Sequence, residues 1–153
     1  MSGGLYLNKA LDQFLNNSIL TAAVLSWVLA QLIKFFISMI RDRKVDFILL
    51  TKSGGMPSGH AALVTASALG IGRKIGFDSG EFALASVIAF IVMYDAAGVR
   101  QAVGIQAQIL NELIHDIYHG TGIKPVKIKE ILGHTPIEVL AGSFLGIVIA
   151  LLF

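Results

Sequence analysis

The chain has no cysteine, which removes disulfides, thiolate metal sites and a thiol nucleophile in one step. Covalent chemistry is left to His, Ser, Thr, Asp, Glu or Lys. Charge is also scarce. Only 14% of the 153 residues are charged, against about 25% in an ordinary soluble domain, while 55% are hydrophobic and the mean hydropathy is +0.75. This is the composition of a membrane protein. Twelve Lys and Arg against ten Asp and Glu give a net charge of +2, with no clustered basic stripe, and this excludes a nucleic-acid surface. A helix crossing the hydrocarbon core needs about 20 mostly apolar residues. After loops, that leaves room for about four or five crossings and excludes a large transporter.

Met1 to Asn17 has one lysine, no arginine and no continuous apolar core, so it reads as a short amphipathic entry and not as a cleavable signal. The first spanning helix is Ser18 to Ile40, interrupted only by Gln31 and Lys34. It stops in the charged run Arg41, Asp42, Arg43, Lys44. Val45 to Leu50 is too short to span and leads into Ser53, Gly54, Gly55, Met56, Pro57, a hinge or re-entrant turn. A second helix starts at Ser58 and runs through Ala- and Gly-rich sequence to Arg73 and Lys74, as helix packing in lipid favours. Asp78 followed by Glu81 resembles an N-cap with its third-position carboxylate, and Phe82 to Tyr94 supplies a third apolar helix. The helix from about Ile105 to His119 is amphipathic, the pattern of an interfacial or polar-core helix. After a loop carrying Lys124, Lys127 and Lys129, the last helix runs from Pro136 to Phe153. The expected architecture is all-α: a polytopic helical membrane protein with about four spanning helices plus one amphipathic helix, forming a single domain over residues 1–153.

Arg41 to Pro57 and Arg100 to Gly133 carry four positive charges each, against Lys9, Arg73 and Lys74 on the other side. The positive-inside rule places the two richer loops in the cytoplasm. With that topology, Lys34, Arg41, His60, Arg100 and His134 reach the same membrane face from independent spans. Their convergence is the main argument for a site.

Two helix starts supply its chemistry. Ser58, Gly59 and His60 open one helix, where free N–H groups and the helix dipole favour an anion; the plain alternative for Ser58 is an ordinary N-cap. His134, Thr135, Pro136 and Glu138 open another. Thr135 with Glu138 matches a capping box with proline at the first helical position, so Glu138 is either a cap or the carboxylate that holds the second ring nitrogen of a nucleophilic His134. Lys34 and Arg41, seven apart, share a helix face about 10 Å apart along the axis, where they either hold one ligand together or serve as a snorkelling lysine and a topology arginine. Asp95, late in an apolar helix, is functional or paired, with Arg100 or Lys34 as the expected partner. Glu112, His115 and His119 can share a face and so form a metal set, although such a set is more often a solvated face.

Pro57-Ser58-Gly59-His60, preceded by Lys34-x6-Arg41 and followed by His134-x3-Glu138 in HTPIEVLAGSFLGI, resembles the type 2 phosphatidic acid phosphatase and vanadium haloperoxidase superfamily. The closer likeness is to its divergent, small bacterial and plant branch, over roughly Lys34 to Phe153. The resemblance implies an integral-membrane, multi-pass lipid phosphate phosphatase that needs no metal or other cofactor. In it His134 is the nucleophile and passes through a phosphohistidine, and His60 is the general acid. Lys34, Arg41, Ser58 and the Gly59 N–H hold the phosphoryl oxygens. Three positions depart from the pattern: Asp42 stands where the family has proline, Glu138 replaces aspartate, and Lys127-Ile128 falls where a serine-arginine pair belongs. Arg100 is the first candidate to replace the missing arginine, with Lys127 and Lys129 behind it. The competing readings are a catalytically silent lipid-phosphate-binding or scaffold protein, and a metal-dependent variant using Asp95 and the Glu112 to His119 face. The expected partners are a phosphorylated lipid, membrane lipids and a second copy of the chain. That homodimer would be joined through Ala61, Ala62, Thr65, Ala66, Ala68 and Gly70 on one helix and Ala141, Gly142 and Gly146 on another.

Overall fold

The structure is a computed structural model that describes residues 2–43, 55–118 and 134–153. The described residues form six helices: α1 (Ser2–Leu15), α2 (Ser18–Asp42), α3 (Gly59–Ile75), α4 (Gly80–Ala97), α5 (Val99–Tyr118) and α6 (Pro136–Leu152). All-α membrane architecture is what the composition demands. The stretches Ser18–Arg41 and Gly80–His115 are long and apolar enough to cross a membrane, and Pro136–Leu152 is a shorter apolar helix. Leu32, Phe36, Phe90, Ile91, Phe144 and Leu151 project outward from α2, α4 and α6. Large apolar side chains outside and small ones inside are the pattern that lipid imposes, because oily surface gains nothing by burial there and close backbone approach does.

The helix starts obey local chemistry. Asn17 caps α2, accepting from the Ile19 and Leu20 N–H groups at 3.1 and 3.2 Å. Arg43, in the left-handed region at φ 50°, ends that helix. α4 is capped by Ser79, whose hydroxyl accepts the Phe82 N–H at 3.2 Å, and not by Asp78 as the sequence suggests. The reason is register: Glu81 then falls at the second helical position and cannot close a capping box with the cap. α4 also runs on to Ala97, and α5 starts at Val99, six residues earlier than expected from its apolar pattern. Only Gly98 separates them, so polarity after Tyr94 marks a change of surroundings and not the end of helix.

α3 sits at the centre, packed against α2, α4 and α6, while α5 leans on α4. Gly59, Ala61, Ala62, Ala66, Ala68 and Gly72 are buried along α3, and Gly142 and Gly146 are buried on α6. A side chain at Gly142 would run into the Ser58 carbonyl, and one at Gly146 into the Ala62 carbonyl. These small-residue faces were the expected surfaces of a homodimer. Within one chain Gly142 and Gly146 close on Ser58, Ala62 and Ala66, while Gly70 faces Ile19 of α2; a stripe of small residues specifies close approach without specifying whose backbone approaches. On α2 the inward row is Ala22, Ser26, Ala30, Lys34 and Ser38, every fourth residue. The row begins with alanine against α3 and brings a buried lysine, Lys34, to the end of the bundle where α3 and α6 begin, with Ser38 one turn beyond it.

Candidate active site

At the start of α3, Gly55 takes a positive φ of 81° and Met56-Pro57 turns the chain into the helix. Ser58 is fully buried and caps α3, its hydroxyl accepting the Ala61 N–H at 3.4 Å. The plain N-cap reading of Ser58 therefore holds. The Ser58 N–H donates outward, to the Glu138 carbonyl at 2.9 Å, which ties the start of α3 to the first turn of α6. Gly59 opens the helix and is buried; His60 follows it, half-buried.

At the start of α6, Thr135 is the cap and Glu138 closes the capping box, with Pro136 in the first turn. The Glu138 Oε2 accepts the Thr135 N–H at 3.2 Å and also lies 3.0 Å from the Nδ1 of His134. Cap and histidine holder, which the sequence presents as alternatives, are one oxygen atom doing both. A carboxylate at neutral pH only accepts, so Nδ1 carries the proton and Nε2 is left as the basic nitrogen. His134 itself is 1% exposed. Its backbone N–H donates to the Ala96 carbonyl at 3.0 Å, in the last turn of α4. Backbone and ring of His134 are thus held by two different helices.

The two histidines meet. Their ring centroids are 6.3 Å apart, edge to face at 66°, although 73 residues of chain lie between them. Lys34 reaches the same end of the bundle from α2. It is 6% exposed, and its stem passes Gly55 so closely that a Cβ there would sit 3.2 Å from its Cγ. His134, His60, Glu138, Ser58, Gly59 and Lys34 therefore gather where α3 and α6 begin. Arg41 lies two turns beyond Lys34 in the last turn of α2 and is exposed. Asp95 is half-buried, next to the Ala96 that holds His134. Arg100 is the second residue of α5, and its side chain lies outside the described set. Lys127, Lys129 and His119 lie outside the described residues. Among those described, no three His, Asp or Glu stand close enough to hold a metal ion.

Two contributors escaped the sequence reading. The Ala96 carbonyl is a backbone group with no sequence signal. Gln31 accepts a hydrogen bond from the Lys34 ammonium at 2.9 Å, and its signal was present: a polar residue three before a lysine inside an apolar helix shares that lysine's face.

The chain was compared with known proteins. It matches the Divergent PAP2 family over residues 15–149. It is also 39% identical over 150 residues to the Bacillus subtilis (strain 168) protein named "Uncharacterized membrane protein YuiD", covering 91% of this chain and 95% of that protein. No solved structure matches it. The family match spans most of the chain and includes both histidine-bearing helix starts, the buried lysine and the small-residue helix pair, so this protein belongs to the divergent PAP2 family.

Proposed function

We propose that the protein hydrolyses phosphate monoesters of lipids at a membrane face, without a metal, through a phosphohistidine. The observation that carries this reading is the buried His134 held through Nδ1 by Glu138, with the His60 ring 6.3 Å away on the other helix start. In the first step the Nε2 lone pair of His134 attacks phosphorus and the bond from phosphorus to the lipid oxygen breaks. His60, protonated, gives its proton to that leaving oxygen. Lys34 and the N–H groups at the start of α3 face the charge that spreads over the equatorial oxygens. In the second step water attacks the phosphohistidine, His60 takes the water's proton, and phosphate leaves with His134 restored. Glu138 stabilises the imidazolium by its charge throughout. The loop-charge asymmetry of a chain read as multi-pass supports a site at the cytoplasmic face, within reach of a lipid head group.

The test is phosphate release by purified protein from a panel of lipid monophosphates, with and without chelator. Wild type should release phosphate in both conditions and His134→Ala in neither. His60→Ala should lose turnover of alkyl phosphates while sparing esters whose leaving group needs no proton; equal loss on both would remove the general-acid role. Anion binding without any phosphate release would favour the silent lipid-phosphate-binding reading. Turnover abolished by chelator would favour the metal-dependent one.

A further inference from the structure

Gln31 lies in the middle of a spanning helix, where an amide that cannot reach water must satisfy its donors and acceptor within the protein. The Lys34 ammonium, which can only donate, lies 2.9 Å from its oxygen. That contact also settles which way the amide faces, since the nitrogen cannot sit against an ammonium. The Nε2 therefore points away from Lys34. It points at the start of α3: a Cβ placed on Gly59 would lie 3.8 Å from the Gln31 Nε2 and 3.0 Å from the Trp27 ring. Trp27, Gln31 and Lys34 are spaced by four and three residues along α2, hence on one helix face, and that face lies against the Gly55 to Gly59 turn.

Building on the phosphate-site reading above, we propose that Gln31 belongs to the anion site itself. Its oxygen holds the Lys34 ammonium beside the start of α3, and its amide N–H group donates to the bound phosphoryl oxygens next to the Gly59 N–H. The arginine that the superfamily pattern calls for has no counterpart at Lys127-Ile128. Gln31 supplies neutral donors from a different helix, and it does so without adding a second positive charge to a site that already holds Lys34 in a nearly dry position. A neutral donor suits this place, because a buried cation without a facing anion is far more costly than a buried amide.

The probe is orthovanadate, which takes the five-coordinate shape of a phosphoryl group in transfer, and binding is measured separately from turnover. Gln31→Met keeps length and suits lipid; it should keep the fold by circular dichroism and thermal midpoint, and weaken vanadate binding about tenfold, as loss of hydrogen bonds to a charged ligand does. In a Lys34→Met background the same change should still weaken binding, though by less than in wild type, because the amide's own donation is lost while its hold on Lys34 is already gone; no further loss there would reduce Gln31 to a holder of Lys34 and overturn its direct contact with the anion. Gln31→Glu offers a second route should the Met variant fold poorly: its carboxylate still accepts from Lys34, but it brings negative charge and no donor, so vanadate binding should fall further than in Gln31→Met. Unchanged vanadate affinity in either variant, or full additivity with Lys34→Met, would overturn the inference. Wild-type protein that binds vanadate but releases no phosphate would remove only the hydrolytic reading, whereas wild type that binds no vanadate would remove both.

Discussion

α3 and α6 begin side by side, and each carries a histidine, but the two starts are built differently. In α3 the cap, Ser58, comes before the histidine, so His60 rides inside the first turn and is half-buried. In α6 the histidine comes before the cap, so His134 stands outside the helix and is placed by the Ala96 carbonyl and the Glu138 carboxylate. The first arrangement leaves the ring half-buried, at the rim of the cluster. The second immobilises a ring and fixes its tautomer. Those differences suit the acid and nucleophile roles proposed above, and they follow from the order of two residues around a cap.

The comparison is broken most completely by separating the two starts. Gly142→Leu should drive a side chain into the Ser58 carbonyl, forcing α6 off α3 and abolishing turnover together with most of the thermal stability, read by activity and by unfolding in detergent. Wild-type stability in this variant would mean that the α3–α6 contact is not what holds the site.

Glu138→Gln sharpens the contrast, because Gln can still accept the Thr135 N–H but has no charge to stabilise an imidazolium. Turnover should fall on the order of a hundredfold, as for loss of a charged stabilising group, while the thermal midpoint moves little. Lost stability with retained turnover would leave Glu138 as a cap alone. The smallest effect belongs to the ordinary cap. Ser58→Ala should cost about 1 kcal/mol of stability, the usual value of an N-cap, and Thr135→Ala a similar amount. Thr135→Ala should also spare the contact between Glu138 and His134, and so lower turnover less than Glu138→Gln does.

What was readable in advance follows the range of the interactions involved. Caps and boxes are settled within four residues, so Ser58, Thr135 and Glu138 could be found from spacing alone, and the order of spans along the chain brings Lys34, His60 and His134 to one end of the bundle. The α4 cap failed because Asp78 and Ser79 are adjacent and both suit the position; only the register of the helix chooses between them. The role of Gln31 was masked by treating a polar residue in an apolar run as an interruption, when its i, i+3 relation to Lys34 already made it a neighbour. The pairing of Gly142 with Ser58, and of His134 with Ala96, joins helices far apart in the chain. A stripe of small residues reveals a contact but not its owner, and a backbone acceptor leaves no trace in side-chain identity.

The hydrogen bond from the Ser58 N–H to the Glu138 carbonyl has a consequence for biosynthesis. During translation α2, α3 and α4 leave the ribosome well before α6, so Lys34, the Ser58 cap and His60 are made while the acceptor for the Ser58 N–H and His134 do not yet exist. Docking of α6 brings His134, its orienting carboxylate and the clamp on the α3 turn in a single event. Under the mechanism proposed above, a chain that has not reached that point lacks the histidine that would carry the phosphoryl group and is inert toward lipid phosphates.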